Sequence, residues 1–74
     1  MNKWKIDFVM RSGNTIAGLY EGPENDSASV ANKLLAGDPN CFEGMYSLYG
    51  YGKENLLVKK GEVVAATISE YKEI

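Results

Sequence analysis

KWKIDFVMRSGNTIAGLY, residues 3–20, alternates in character at every second position and then turns at Ser12-Gly13-Asn14. Trp4, Ile6, Phe8 and Met10 fall on one side of an extended chain, and Lys3, Lys5, Asp7 and Arg11 on the other. Successive side chains of a strand point to opposite faces. This period-2 pattern therefore predicts a half-buried strand, with Val9 as the only apolar residue of its outer face. Gly and Asn both tolerate the positive φ that a tight hairpin demands. Thr15–Tyr20, rich in β-branched and aromatic residues, is then predicted to pair back on the first strand. Gly18 in its middle signals a bend or a close backbone approach.

Beyond the hairpin, Gly22-Pro23-Glu24-Asn25-Asp26 ends the alternation and SASVANKLLAG, residues 27–37, starts a helical one. Asp26 or Ser27 can accept the orphan amide protons of a helix start, and Gly37 with Asp38-Pro39 supplies the stop. Val30, Ala31, Leu34 and Leu35, with Ala28, form a narrow apolar stripe. So short a helix persists only when docked, and Ala28 and Ala31 would let it approach the sheet closely. Strand character returns at Cys41–Leu48, at Asn55–Lys59 and at Val63–Ser69, the last two split by Lys60-Gly61-Glu62. In the final run Val64, Ala66 and Ile68 face one way and Val63, Ala65 and Thr67 the other. A strand apolar on both faces is either central in its sheet or covered by a partner. The expected fold is α+β in the order β-β-α-β-β-β: a small, strongly bent antiparallel sheet or barrel with one short helix packed on it, all in one domain.

This strand order resembles the strongly bent small barrels of the SH3 and Sm kind. The chain also resembles a loose group of short proteins from phages and prophages of Gram-positive bacteria. In that group an N-terminal hairpin with a Ser-Gly turn precedes a short helix and a strand that begins near a Phe. A C-terminal pattern close to NLLVKKGEVVAATISEY, residues 55–71 here, closes the chain. The resemblance spans nearly all 74 residues and implies a phage accessory origin. It carries over no functional residue.

Composition narrows the chemistry. A chain of 74 residues buries only about 60% of its unfolded surface, so oligomerisation is a natural supplement to its core. No run approaches the roughly 18 apolar residues of a membrane span, and MNKWKIDFVM lacks the apolar core of a signal peptide. A cytoplasmic location is expected, in the host cell if the chain is phage-encoded. With one cysteine, Cys41, and no histidine, the chain has no intrachain disulfide, no ordinary zinc ligand set and no imidazole for acid–base or nucleophilic catalysis. Cys41, beside Phe42, is read as a small packing residue. Glu21, Glu24 and Asp26 gather around the 22–26 loop without the spacing of a calcium loop, and Asp26 has a sufficient duty as a helix cap. No metal and no cofactor is expected. Asn25-Asp26-Ser27 matches a glycosylation acceptor, which in a cytosolic chain is a chance match.

The candidate sites are few. In GMYSLYGYG, residues 44–52, Tyr46, Tyr49 and Tyr51 are either a strand running into its turn, a protein contact, or stacking surfaces for a planar ligand. The Gly-x-Gly there has no helix after it to bind phosphate. Lys3, Lys5 and Arg11 share one strand face and Lys59 and Lys60 sit at a turn. Together they make a phosphate patch if they converge, and a solvated face if they do not. The net charge of −2 argues against bulk electrostatic binding to nucleic acid. Trp4 is read as core, with an oligomer interface as the alternative. The functional expectation is a non-catalytic binding module, a homo-oligomer of the phage accessory type. It would bind or sequester a host target, either a defence protein or a nucleotide-like signalling molecule. The alternative is a nucleic-acid-binding small barrel. No membrane partner and no enzyme activity are expected.

Overall fold

The structure, a computed structural model, describes residues 2–36, 41–47 and 55–72, and the side chains of all of these except 41–44. Strand β1, Asn2–Met10, pairs antiparallel with β2, Thr15–Gly22, in register from Asn2↔Gly22 to Val9↔Thr15. Trp4, Ile6 and Phe8 are buried, and Lys3, Lys5 and Asp7 lie half-exposed on the other face, as the alternation predicts. At the turn Gly13 N–H donates to Met10 O (2.8 Å) and Met10 N–H donates to Asn14 O (2.8 Å). This is a three-residue hairpin loop whose last residue needs positive φ. Of the two residues that tolerate it, Gly13 supplies it, at φ 94°, while Asn14 keeps negative φ.

The helix α1, Ser27–Ala36, starts where the capping residue dictates: Asp26 Oδ1 accepts from Ser29 N–H (2.7 Å). That bond holds the Asp26 carboxyl below its usual range, so its capping is complete at neutral pH and lost only in acid. Val30 and Leu34 are the buried face of α1, which packs on β5 and β3. The apolar stripe is narrower than its sequence suggests, because Ala28 is exposed and Leu35 is 71% exposed. The remaining strands are β3, Cys41–Ser47; β4, Asn55–Lys59; and β5, Val63–Glu70.

All pairings are antiparallel and the sheet order is β4-β3-β2-β1-β5. β4 and β5 are consecutive in the chain yet lie at opposite edges, joined only by a 3₁₀ turn, Lys60–Glu62. In a flat sheet four strand spacings would separate these edges by about 19 Å. The four Cα steps from Lys59 to Val63 reach about 14 Å at full extension, and less as a 3₁₀ turn. The sheet must therefore curl, which is the bend expected from sequence. β4 and β5 do not pair among the described residues, so the result is a curled, open half-barrel.

Several residues make the curl feasible. The register shifts between Val9 and Met10 against β5, and between Phe42 and Met45 against β4. Such irregularities bend and twist a strand pair. Gly18 is the close approach that the sequence signals: a Cβ there would lie 2.9 Å from Leu56 Cδ2, 3.6 Å from Met45 Sδ and 3.7 Å from Phe8. A side chain from β4 thus lies over the backbone of β2. The concave face holds the core of Trp4, Ile6, Phe8, Tyr20, Met45 and Val58, closed by Val30 and Leu34 of α1.

Gly18→Val should destabilise the fold by about 1–3 kcal/mol, the cost of overpacking a filled interior. The same substitution should cost less in a Leu56→Ala background, because the colliding methyl group is gone. Urea denaturation midpoints of the four proteins check this; equal costs in both backgrounds would contradict the close packing of β4 over β2.

Candidate functional site

β5 is built from the residues least equipped to guard a sheet edge. Natural edge strands carry charges, proline or short length to prevent pairing with other chains. Residues 63–69 contain neither a charge nor a proline, and the strand is eight residues long. Of the two positions that suit a strand apolar on both faces, the structure gives β5 the edge, not the centre. Only Val63 and Ile68 are half-buried, and Val64, Ala65, Ala66, Thr67, Ser69 and Glu70 are exposed.

The phase of its hydrogen bonds is fixed at both ends of β1. Met10 N–H bonds across to Asn14 on the β2 side of the hairpin, and Tyr71 N–H donates to Lys3 O at 3.0 Å. Hydrogen-bonded and non-bonded pairs alternate along an antiparallel ladder. Even-numbered residues of β1 therefore bond to β2, and odd-numbered ones bond to β5 through Thr67, Ser69 and Tyr71. Ala66, Ile68 and Glu70 are left with N–H and C=O groups directed away from β1. No backbone partner for them occurs among the described residues.

Beside this edge, on the concave face, a cleft of about 200 Å³ opens between α1 and β5. Its lining residues are Phe8, Ala31, Leu34, Leu35, Ala66 and Ile68. Every lining side chain is hydrocarbon, so the cleft can seat an apolar group and has no side chain with which to move a proton or hold an ion. Periodicity alone assigns these residues to the core. The signal that they form a surface is the apolar character of both faces of Val63–Ser69.

The residues singled out in the sequence do not converge on this cleft. Trp4 is 6% exposed and belongs to the core, where only its indole N–H lacks a partner. Tyr46 is half-buried on the convex face, opposite Leu19 and Asn55, with its neighbour Met45 in the core. Tyr49 and Tyr51 lie outside the described residues. Lys5 and Asp7 approach to 3.8 Å, and Lys3 stands opposite Glu21, so acidic neighbours interrupt the first basic row. Arg11 does join the second group: its Nη2 donates to Gly61 O (3.0 Å) and its N–H to Glu62 O (2.7 Å). Those bonds tie the end of β1 to the 3₁₀ turn next to Lys59 and Lys60.

The opposite end of the core carries a polar cluster that no sequence motif announces. Tyr20 Oη donates to Glu24 Oε1 (2.8 Å), while Asn2 Nδ2 donates to Glu24 O (2.8 Å) and Asn25 Oδ1 (3.3 Å). The available signal is Tyr20 and Glu24 on either side of Gly22-Pro23, a turn that folds the carboxylate back over the ring. Glu24 Oε2 is buried without a partner. Glu24 forms this bond, Asp26 caps α1, and no group of three potential metal ligands occurs among the described residues. No helix there is long and apolar enough to cross a membrane. Comparison of the chain with protein-family models, with curated proteins and with solved structures finds no match.

Burial, reinforced by the bond to the Glu24 carboxylate and by its charge, pushes the Tyr20 phenol from 10.0 up to about 12. An acid whose folded pKa is raised stabilises the fold fully below its unfolded pKa and stops doing so as pH rises through the folded one. The stability of the protein should therefore fall between about pH 10 and pH 12. In Tyr20→Phe this component of the fall should vanish, and stability at pH 7 should drop by about 1 kcal/mol for the lost hydrogen bond. Urea midpoints measured across that range check both; parallel pH curves would contradict the assignment.

Proposed function

We propose that the chain is a non-catalytic accessory binding protein of the phage type, which works as a homo-oligomer and acts on a host target by occupying it. The observation that carries this reading is the hydrocarbon-lined cleft beside an unguarded sheet edge. A small domain that leaves a leucine almost bare next to an edge strand without a charge before its last residue, Glu70, has the features of an association surface. The phage origin and the defence role of the target come from the resemblance of the sequence. Between the two target classes, the cleft favours a protein. It accepts an apolar side chain, whereas a nucleotide-like molecule needs donors for its phosphates.

One observation favours the second reading, nucleic-acid binding: the Arg11–Gly61 bond gathers Arg11, Lys59 and Lys60 at one corner of the sheet. Binding led by phosphates weakens steeply as salt rises.

Leu35→Glu places a charge at the mouth of the cleft on an exposed helix position, so the fold should survive. Tagged protein carried through a Gram-positive lysate should retain a defined protein partner that Leu35→Glu loses at least tenfold. A partner retained equally by both proteins, or a salt-sensitive nucleic acid in its place, would contradict this assignment.

A further inference from the structure

The reading of the chain as a homo-oligomer leaves open which surface is shared and in what register. We propose that β5 pairs antiparallel with β5 of a second copy about a two-fold axis, with Thr67 opposite the partner's Thr67. The inference rests on the oligomeric reading above and goes beyond it in naming the edge, the symmetry and the register.

Three observations select this arrangement. Ala66, Ile68 and Glu70 direct their N–H and C=O groups outward, so only registers that match outward residue to outward residue can form a ladder. Two such registers centre on the strand. With Ala66 opposite the partner's Ala66, Ile68 would have to pair at the partner's Val64, which the register with β1 skips, and Glu70 at the partner's Glu62, whose C=O already accepts from Arg11 N–H. With Thr67 on the axis, Ala66 and the partner's Ile68 exchange their outward groups clear of that irregularity, and only Glu70 meets Val64. The outward groups thus choose the second register, and they do so twice by symmetry.

The apolar surface agrees with it. Thr67 lies on the convex face, whereas Ala66 and Ile68 lie on the concave face with the cleft. In this register Ala66 pairs with the partner's Ile68, and Ile68 with the partner's Ala66. The floors of the two clefts then become one apolar floor running between the two copies of α1. Leu35, 71% exposed in the single chain, is a wall of that shared trough, so the binding surface is completed only by the second copy. The opposite edge is a poorer alternative. β4 has five residues, ends in Lys59 and is followed by Lys60, and a β4–β5 contact between copies would propagate into a ring or filament instead of closing.

Native mass spectrometry with cysteine cross-linking tests the proposal. The protein should be a dimer. Thr67→Cys should form an intermolecular disulfide on mild oxidation, because non-hydrogen-bonded antiparallel partners sit about 4.5 Å apart at Cα, within disulfide reach. Ala65→Cys, equally exposed, should not link to itself, since the residue opposite it is the partner's Ser69. Peptide mapping separates these links from any that involve Cys41. Thr67→Lys should raise the dimer dissociation constant tenfold or more with unchanged circular dichroism. A dimer in which the Thr67→Cys variant fails to link, or the Ala65→Cys variant links as readily, overturns the register. A trimer or larger ring overturns the edge; both results leave the oligomeric binding module standing. A monomer at tens of micromolar sinks both.

Discussion

Three residues, Lys60–Glu62, join two strands that lie at opposite edges of a five-stranded sheet, and the short reach of that link governs the rest of the molecule. A flat sheet cannot satisfy it. The chain curls instead, at the bulge near Val9 and Met10, at the register shift in β3–β4, and over Gly18, where the absent side chain makes room for Leu56. Arg11 then fixes the corner by donating from both its backbone and its guanidinium to the turn. The curl also builds the core, because it brings Met45 and Val58 round to Trp4, Ile6 and Phe8 within reach of a ten-residue helix.

The same constraint produces the candidate surface. Curling draws β4 and β5 together at the turn, but the two strands do not pair among the described residues, so β5 keeps an open edge. The helix α1 covers the concave face only in part: Val30 and Leu34 are sealed, whereas Leu35 and Ala66 are not. An edge uncharged over residues 63–69 and a hydrocarbon cleft side by side are costly to leave in water and favourable to cover. The proposed assembly would cover both and add buried apolar area to a small domain.

Much of this architecture is written locally in the sequence. The alternation of residues 3–11, the Ser12-Gly13-Asn14 turn and the Asp26 cap each depend on neighbours a few positions away, and they give the hairpin and the helix nearly at their observed bounds. The identity of Gly18 as a close approach is likewise visible, though not that Leu56 is what approaches it. Val63–Ser69 shows the limit. Its apolar faces announce burial or a partner, but edge or centre is decided by β1, at the far end of the chain, and by the length of the link before it. Leu35 and Ala28 look like core because helical periodicity marks a stripe without saying how wide a surface the sheet offers. The Tyr20–Glu24 bond and the pairing of Arg11 with Gly61 are hidden for the same reason: each depends on how the chain turns back on itself.

If a second copy of the chain covers the outward edge of β5, the amides along that strand must divide into two classes. Residue-resolved amide hydrogen exchange, followed by NMR at high and low protein concentration, separates them. Thr67 and Ser69, bonded to β1, should exchange slowly at both concentrations. Ala66 and Ile68 should be slow only at the higher one and faster on dilution. Free-peptide rates at Ala66 and Ile68 at every concentration, or protection that dilution does not change, would contradict a covered edge.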